Sequence, residues 1–291
     1  GTAVPARFAR APVSTAIGDP PSTDLCSAVD VSDFAQPGYR PAFADSQFPP
    51  GCTIRLTKSD GSHVSVSLYG TTSASGAAPG RTTKRVAGLT VYYYPFKSDF
   101  GECERDVLAG RIVFTINAFT PKGTTGATPD RTVNCTATDL LTTKIALAVS
   151  ARALTPLHLA TPSVISLDSC RIARAAGWTA VPAFAGAPPT ADAFGAGCSL
   201  TSSRMSVYLD PMLAKDASVD NARPVSADGH QIYASTSNDA SDCALTSVQG
   251  DTPDGRSEQL YLSAYATKTV PQFCQEVTAA FGRYLTVAGL R

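Results

Sequence analysis

"DLCSAV" (residues 24–29) and "DSCRIA" (168–173) share one pattern, an aspartate two residues ahead of a cysteine at what reads as the start of a helix. A thiol at a helix N-terminus is electrostatically primed, because the partial positive charge there favours thiolate. Whether Cys26 is a reactive group or a staple is decided by the other cysteines. There are eight: Cys26, Cys52, Cys103, Cys135, Cys170, Cys198, Cys243 and Cys274. The gaps between consecutive members are 26, 51 and 32 in the first four and 28, 45 and 31 in the last four. The flanks agree as well. "PGCTIRL" (50–56) answers to "AGCSLTS" (196–202), and "SDFGECERDVLAG" (98–110) to "SNDASDCALTSVQG" (237–250). "RTVNCTATDLLTTKIAL" (131–147) answers to "TVPQFCQEVTAAFGRYL" (269–285). A repeat of this length is domain-sized, so the pattern predicts a tandem pair and not a solenoid. The expected organisation is a linker over 1–21, a first domain over 22–153, a connector over 154–162 and a second domain over 163–291.

Hydrophobic periodicity places the elements. "HVSVSLYG" (63–70) alternates strictly, with Val64, Val66 and Leu68 on one face, as a half-buried strand does. Cys52, Ile54 and Leu56 share a face, as do Ile112, Phe114 and Ile116, then Met205, Val207 and Leu209, then Leu260, Leu262 and Ala264. Helical spacing closes each unit. Cys135, Thr138, Leu141, Ile145 and Ala148 follow it in the first; Cys274, Val277, Phe281 and Leu285 follow it in the second, with Pro271 suited to the first turn. Each unit is also expected to open on a short helix, with Asp168 as N-cap and Gly177 at the C-terminal end of the second. The fold class is α+β: two similar domains, each an antiparallel sheet packed against an N-terminal and a C-terminal helix.

Four cysteines per unit allow three pairings. The preferred set is Cys26–Cys52, Cys103–Cys135, Cys170–Cys198 and Cys243–Cys274, since each ties a helix to the strand it covers. A loop of this size contributes roughly 3 kcal/mol in the chain-entropy model. Two matched quartets favour an oxidising compartment, which makes Cys26 a staple. No C-x-x-C occurs, and His63, His158 and His230 do not cluster with cysteines, so neither a redox pair nor a metal site is expected.

The bulk numbers narrow the function. Hydrophobic residues make up 43% of the 291 and charged residues 16%, enough apolar side chain for real cores. Lys+Arg and Asp+Glu are 24 each, which argues for no nucleic-acid surface. The longest apolar run, "IALAV" (145–149), is too short to span a bilayer. The opening "GTAVPARFARAPVSTAIGDP" is Ala/Pro-rich and aperiodic, and reads as what remains after a targeting or anchoring segment. Motifs of serine hydrolases, zinc proteases and nucleotide-binding loops are missing. His63 reads as a strand-end residue, His158 as part of the connector and His230 as following a turn. Glu102 and Glu104 read as a solvated strand edge. Trp178 reads as a core plug at a helix exit. "NCT" (134–136) matches a glycosylation sequon but overlaps the fourth cysteine. No catalytic residue, cofactor or metal is expected.

The most unusual stretch is "VYYYPF" (91–96). Parity with Leu89 and Val91 puts Tyr93 in the core. Tyr92 and Tyr94 then point the other way, followed by Phe96. Tyr92, Tyr94 and Phe96 are therefore the candidate ligand or partner patch.

The four-cysteine unit, with Asp24 and Cys26, Cys52, Cys103 and Cys135, then Asp168 and Cys170, Cys198, Cys243 and Cys274, resembles a family of actinobacterial cell-envelope lipoproteins of unknown function. The resemblance covers nearly the whole chain, twice. It implies a PsbP-like fold and an accessory or binding role close to lipid transport. The expected function is a non-catalytic extracytoplasmic envelope protein, tethered through a segment absent from this chain. It would bind a lipid or glycolipid, or an envelope protein partner. The alternatives are the sensor ectodomain of a membrane protein and a secreted hydrolase.

Overall fold

The computed structural model describes residues 6–76, 78–97, 101–120, 130–184, 186–215, 222–239, 241–269 and 271–290. It is α+β, with antiparallel sheets and, among the described residues, three α-helices. The chain divides into two compact units. The first is Val13–Leu157; the second joins the residues up to Pro12 to His158–Arg291.

The first unit opens on two 3-10 turns, Leu25–Ala28 and Val31–Phe34, and not on the expected helix. Asp24 caps the first by accepting the Cys26 N–H at 3.0 Å, and Asp30 caps the second by accepting that of Ser32 at 2.9 Å. The second capping aspartate follows so closely that no α-helix can propagate between them. The alternating segments form β1 (Arg40–Phe43), β2 (Gly51–Thr57), β3 (His63–Thr71), β4 (Thr82–Val86), β5 (Leu89–Tyr93), β6 (Cys103–Ala109) and β7 (Ile112–Phe119). Their order across the sheet is β1-β2-β3-β7-β6-β5-β4. Ala87 and Gly88, with φ of +48° and +81°, make the two-residue left-handed turn that a β4–β5 hairpin requires. Helix α1 (Arg131–Ser150) covers β6, β7 and β3. Asp130 caps it by accepting the Thr132 and Val133 N–H groups, and Thr138, Leu141 and Ile145 are fully buried beneath it.

The second unit contains β8 (Thr190–Ala191), β9 (Cys198–Thr201), β10 (Met205–Ala214), β11 (Ala222–Ala227), β12 (His230–Ser235), β13 (Asp242–Asp251) and β14 (Ser257–Ala266). These strands run β8-β9-β10-β14-β13-β12-β11. Asp228 and Gly229 turn the β11–β12 hairpin at φ +50° and +82°. Helix α2 (Ser169–Ala175) is capped by Asp168, which accepts the Arg171 N–H at 2.9 Å, and Gly177 follows it in the left-handed region. Helix α3 (Phe273–Ala288) carries Val277, Phe281 and Leu285 fully buried. Pro271 lies just ahead of α3 in a turn, not inside its first turn. Trp178 is the expected plug: its indole donates to Ala280 O at 2.9 Å, and its ring centre lies 5.3 Å from Phe184 and 5.6 Å from Tyr284.

The stretch expected as a linker, 1–21, is folded wherever it is described; 1–5 lie outside the described residues. Phe8 is buried in the core of the second unit, and its carbonyl accepts the Asp168 N–H at 2.9 Å. From Val13 onward the chain belongs to the first unit, with Asp19 accepting the Val13 N–H at 2.9 Å. One aromatic plug and a few backbone bonds leave no periodic trace. The expected connector is also held. Thr155–Pro156 pairs with Thr23–Asp24, while fully buried Glu258 accepts the N–H of Ala160 at 2.6 Å and of Val164 at 2.9 Å.

All eight cysteines are paired, as Cys26–Cys52, Cys103–Cys135, Cys170–Cys198 and Cys243–Cys274, with Cα–Cα distances of 5.0–5.2 Å. Such a set belongs to an oxidising compartment outside the cytoplasm. Among the described residues no helix is long and apolar enough to cross a membrane. Replacing Cys243 and Cys274 together by serine is expected to lower the unfolding free energy by about 3 kcal/mol. Urea denaturation followed by Trp178 emission reads this directly, since that buried ring is the only tryptophan.

Candidate functional site

The aromatic run behaves differently from its parity. Strand β5 ends at Tyr93, so the alternation does not carry on to Tyr94. Tyr94 is buried at 6% exposure, whereas Tyr93 is half-buried, the reverse of the expectation. The Tyr94 hydroxyl donates to Asp106, with its oxygen 2.8 Å from Asp106 Oδ2 and from Ser75 O. Asp106 is fully buried and also accepts the Thr115 hydroxyl and the Ser75 N–H, both at 2.7 Å. Burial, then the bond to Asp106, push the Tyr94 phenol up to about 12. A cation covers each of the other rings. Arg81 lies 4.1 Å from the Tyr92 ring centre and Arg131 5.5 Å from that of Phe96. Tyr93 has Lys84 and Arg105 each at 4.5 Å. Tyr92, Tyr94 and Phe96 therefore do not meet as a bare apolar surface.

The other singled-out residues are structural or exposed. Glu102 and Glu104 share a face, but Glu104 is buried, and Lys97 bridges the two at 2.9 and 2.8 Å. Burial works against the Lys97 ammonium, yet Glu104 and Glu102 hold it above its ordinary range. Asn134 of the sequon is fully buried and its amide donates to Gly101 O. His63 opens β3, and His158 is exposed at the start of the second unit. His230 Nε2 lies 2.9 Å from Thr286 Oγ1, whose hydroxyl donates to Asp228 Oδ2 at 2.5 Å. That direction is opposite to nucleophile activation, in which the hydroxyl gives its proton to the imidazole. Among the described residues no group of three or more His, Cys, Asp or Glu side chains is placed to hold a metal ion.

A concavity of the second unit was not singled out by sequence. It lies between the β11–β12 hairpin and α3, with a volume of about 790 Å³, inside the range typical of small-molecule sites. Val225 and Ala234 line it from the sheet, and Phe273, Thr278 and Ala279 from the helix. At one end Gly282 presses on Ala227, where a Cβ would come within 2.7 Å of the Ala227 carbonyl oxygen. Alanines and a glycine carry no signal of their own in a sequence, which is why the groove was not legible.

A second carboxylate pair lies on the same unit. Asp192 accepts the N–H groups of Phe194, Ala196 and Gly197. The carboxylate of half-buried Asp210 has no hydrogen-bond partner among the described residues; burial first, and then Asp192, push it up to about 6. No protein-family model, curated protein or solved structure matches the chain.

The Asp210 shift has a definite sign. Between pH 4 and 6 the folded state keeps a proton that the unfolded state releases, so stability falls as the pH rises through that window. Asp210→Asn is expected to flatten this slope and to raise the unfolding free energy at pH 7 by about 2–3 kcal/mol. Thermal melts at pH 4, 5, 6 and 7 check both.

Proposed function

We propose that the chain is a non-catalytic extracytoplasmic binding protein of a cell envelope, built as a tandem pair of PsbP-like four-cysteine domains. Each domain is an antiparallel sheet stapled to the elements that open and close it. The duplication is supported by three correspondences. Numbered from the first strand of each unit, both sheets run first, second, third, seventh, sixth, fifth, fourth. The disulfides recur at the same steps of that order. The closing helix also touches the edge hairpin turn through a hydroxyl in both, Ser150 donating to Ala87 O and Thr286 to Asp228.

The observation that carries the function is the groove between the β11–β12 hairpin and α3. It is a concavity with an apolar strip of Val225, Ala234, Phe273 and Ala279 inside a polar and charged rim. Its occupant would be a lipid or glycolipid, and the role accessory to transport or envelope assembly. The tether would be a segment outside this chain. Native mass spectrometry on protein released gently from its own envelope tests this. A discrete added mass in the lipid or glycolipid range is expected. A bare chain, or one bound only to another protein, would replace the carrier reading with an adaptor or sensor.

A further inference from the structure

The two hairpins can be superposed residue by residue from their turns. In the first unit Leu89 pairs with Val86, Val91 with Lys84 and Tyr93 with Thr82. In the second His230 pairs with Ala227, Ile232 with Val225 and Ala234 with Arg223. The next strand agrees: Tyr93 faces Arg105, two residues after Cys103, and Ala234 faces Leu245, two residues after Cys243. Tyr93 and Ala234 therefore hold the same place under the closing helix.

What fills that place differs. In the first unit the Tyr93 ring stacks on Arg105, which is ion-paired to Asp139 of α1 at 2.8 Å. The corresponding residues of the second unit are Ala234, Leu245 and Thr278, which are shorter and uncharged. No aromatic ring or ion pair stands at these positions in the second unit, and the groove reaches in to Ala234 and Thr278.

The polar groups around the opening are unevenly committed. Asp228 accepts the Thr286 hydroxyl, and Asp239 accepts the Ser241 N–H and hydroxyl and the Asp242 N–H. Arg223 and Arg283 both line the groove, are exposed, and have no partner among the described residues. At the equivalent step of α1 the cation Lys144 is paired with Asp33. The formal charges of the lining balance, two arginines against Asp228 and Asp239, but the aspartates are engaged by neutral donors and the two guanidiniums keep all their donors for a ligand, beside Val225 and Ala234.

We propose that this groove binds a single-chain anionic amphiphile. Its acyl chain would lie over Ala234 and Val225, and its carboxylate or phosphate head would be held by Arg223 and Arg283. This rests on the binding-protein reading above and names the site and ligand class. A guanidinium suits either head group, since it donates two parallel hydrogen bonds to planar or tetrahedral oxyanions.

The test uses the full chain with its disulfides intact and 11-(dansylamino)undecanoic acid, whose emission rises in an apolar site. Saturable binding is expected, with displacement by dodecanoate or dodecyl phosphate; the stronger competitor assigns the head group. Ala234→Tyr, which installs the first unit's side chain, is expected to abolish binding. Arg223→Gln and Arg283→Gln, both at exposed positions, are each expected to weaken it by about tenfold. The methyl ester of the probe should bind the wild type and Arg283→Gln alike. Absence of saturable binding by the wild type overturns the proposal, as does binding unchanged in all three variants. In the latter case a lipid-range adduct in native mass spectrometry would leave the carrier reading standing with its site elsewhere.

Discussion

The closing disulfide of each unit is the constraint on which the rest depends. Cys103–Cys135 and Cys243–Cys274 pin the N-terminal end of a long helix to the strand beneath it. At the far end the helix meets the edge hairpin through a hydroxyl on its turn. A helix held at both ends cannot settle onto the sheet wherever side chains are small. The gap between helix and hairpin is then set by covalent geometry, and the side chains inside it decide whether it is full or empty. A hydrophobic core alone would tend to collapse around Ala234, whereas a stapled frame resists that collapse.

The same frame explains the distribution of buried charge. Asp106 and Glu258 look like functional carboxylates by burial, yet each is consumed by donors that fix the backbone. Asp106 holds Ser75 and Tyr94, and Glu258 holds Ala160 and Val164. Buried carboxylates of this kind lock chain segments that have no periodic secondary structure. The groups left without such donors are the Asp210 carboxylate beside Asp192 and the two arginines at the rim of the groove.

Much of the frame was legible in the sequence because strict alternation, helical spacing and cysteine spacing are strong local signals. Val64, Val66 and Leu68 face the core as their parity requires, and the cysteine pairs are the preferred ones. Parity failed at Tyr93 and Tyr94, because it holds only while a strand lasts and β5 stops between them. Phe8 was missed because a lone aromatic in an Ala/Pro-rich stretch has no period. The opening turns of the first unit were over-read, since an aspartate cap starts a 3-10 turn as readily as a helix. The groove was invisible because it is made by what Ala234 lacks, and only its register against Tyr93 gives that lack a meaning.

The most direct measurement is anomalous diffraction at the bromine edge from crystals of the full chain grown with 12-bromododecanoic acid. The account predicts one dominant bromine peak, over Ala234 between the β11–β12 hairpin and α3, and none at the Tyr93 position of the first unit. A dominant peak outside the groove, or equal peaks at both positions, would contradict the proposal that the first unit fills this place with its own side chains while the second leaves it for a ligand.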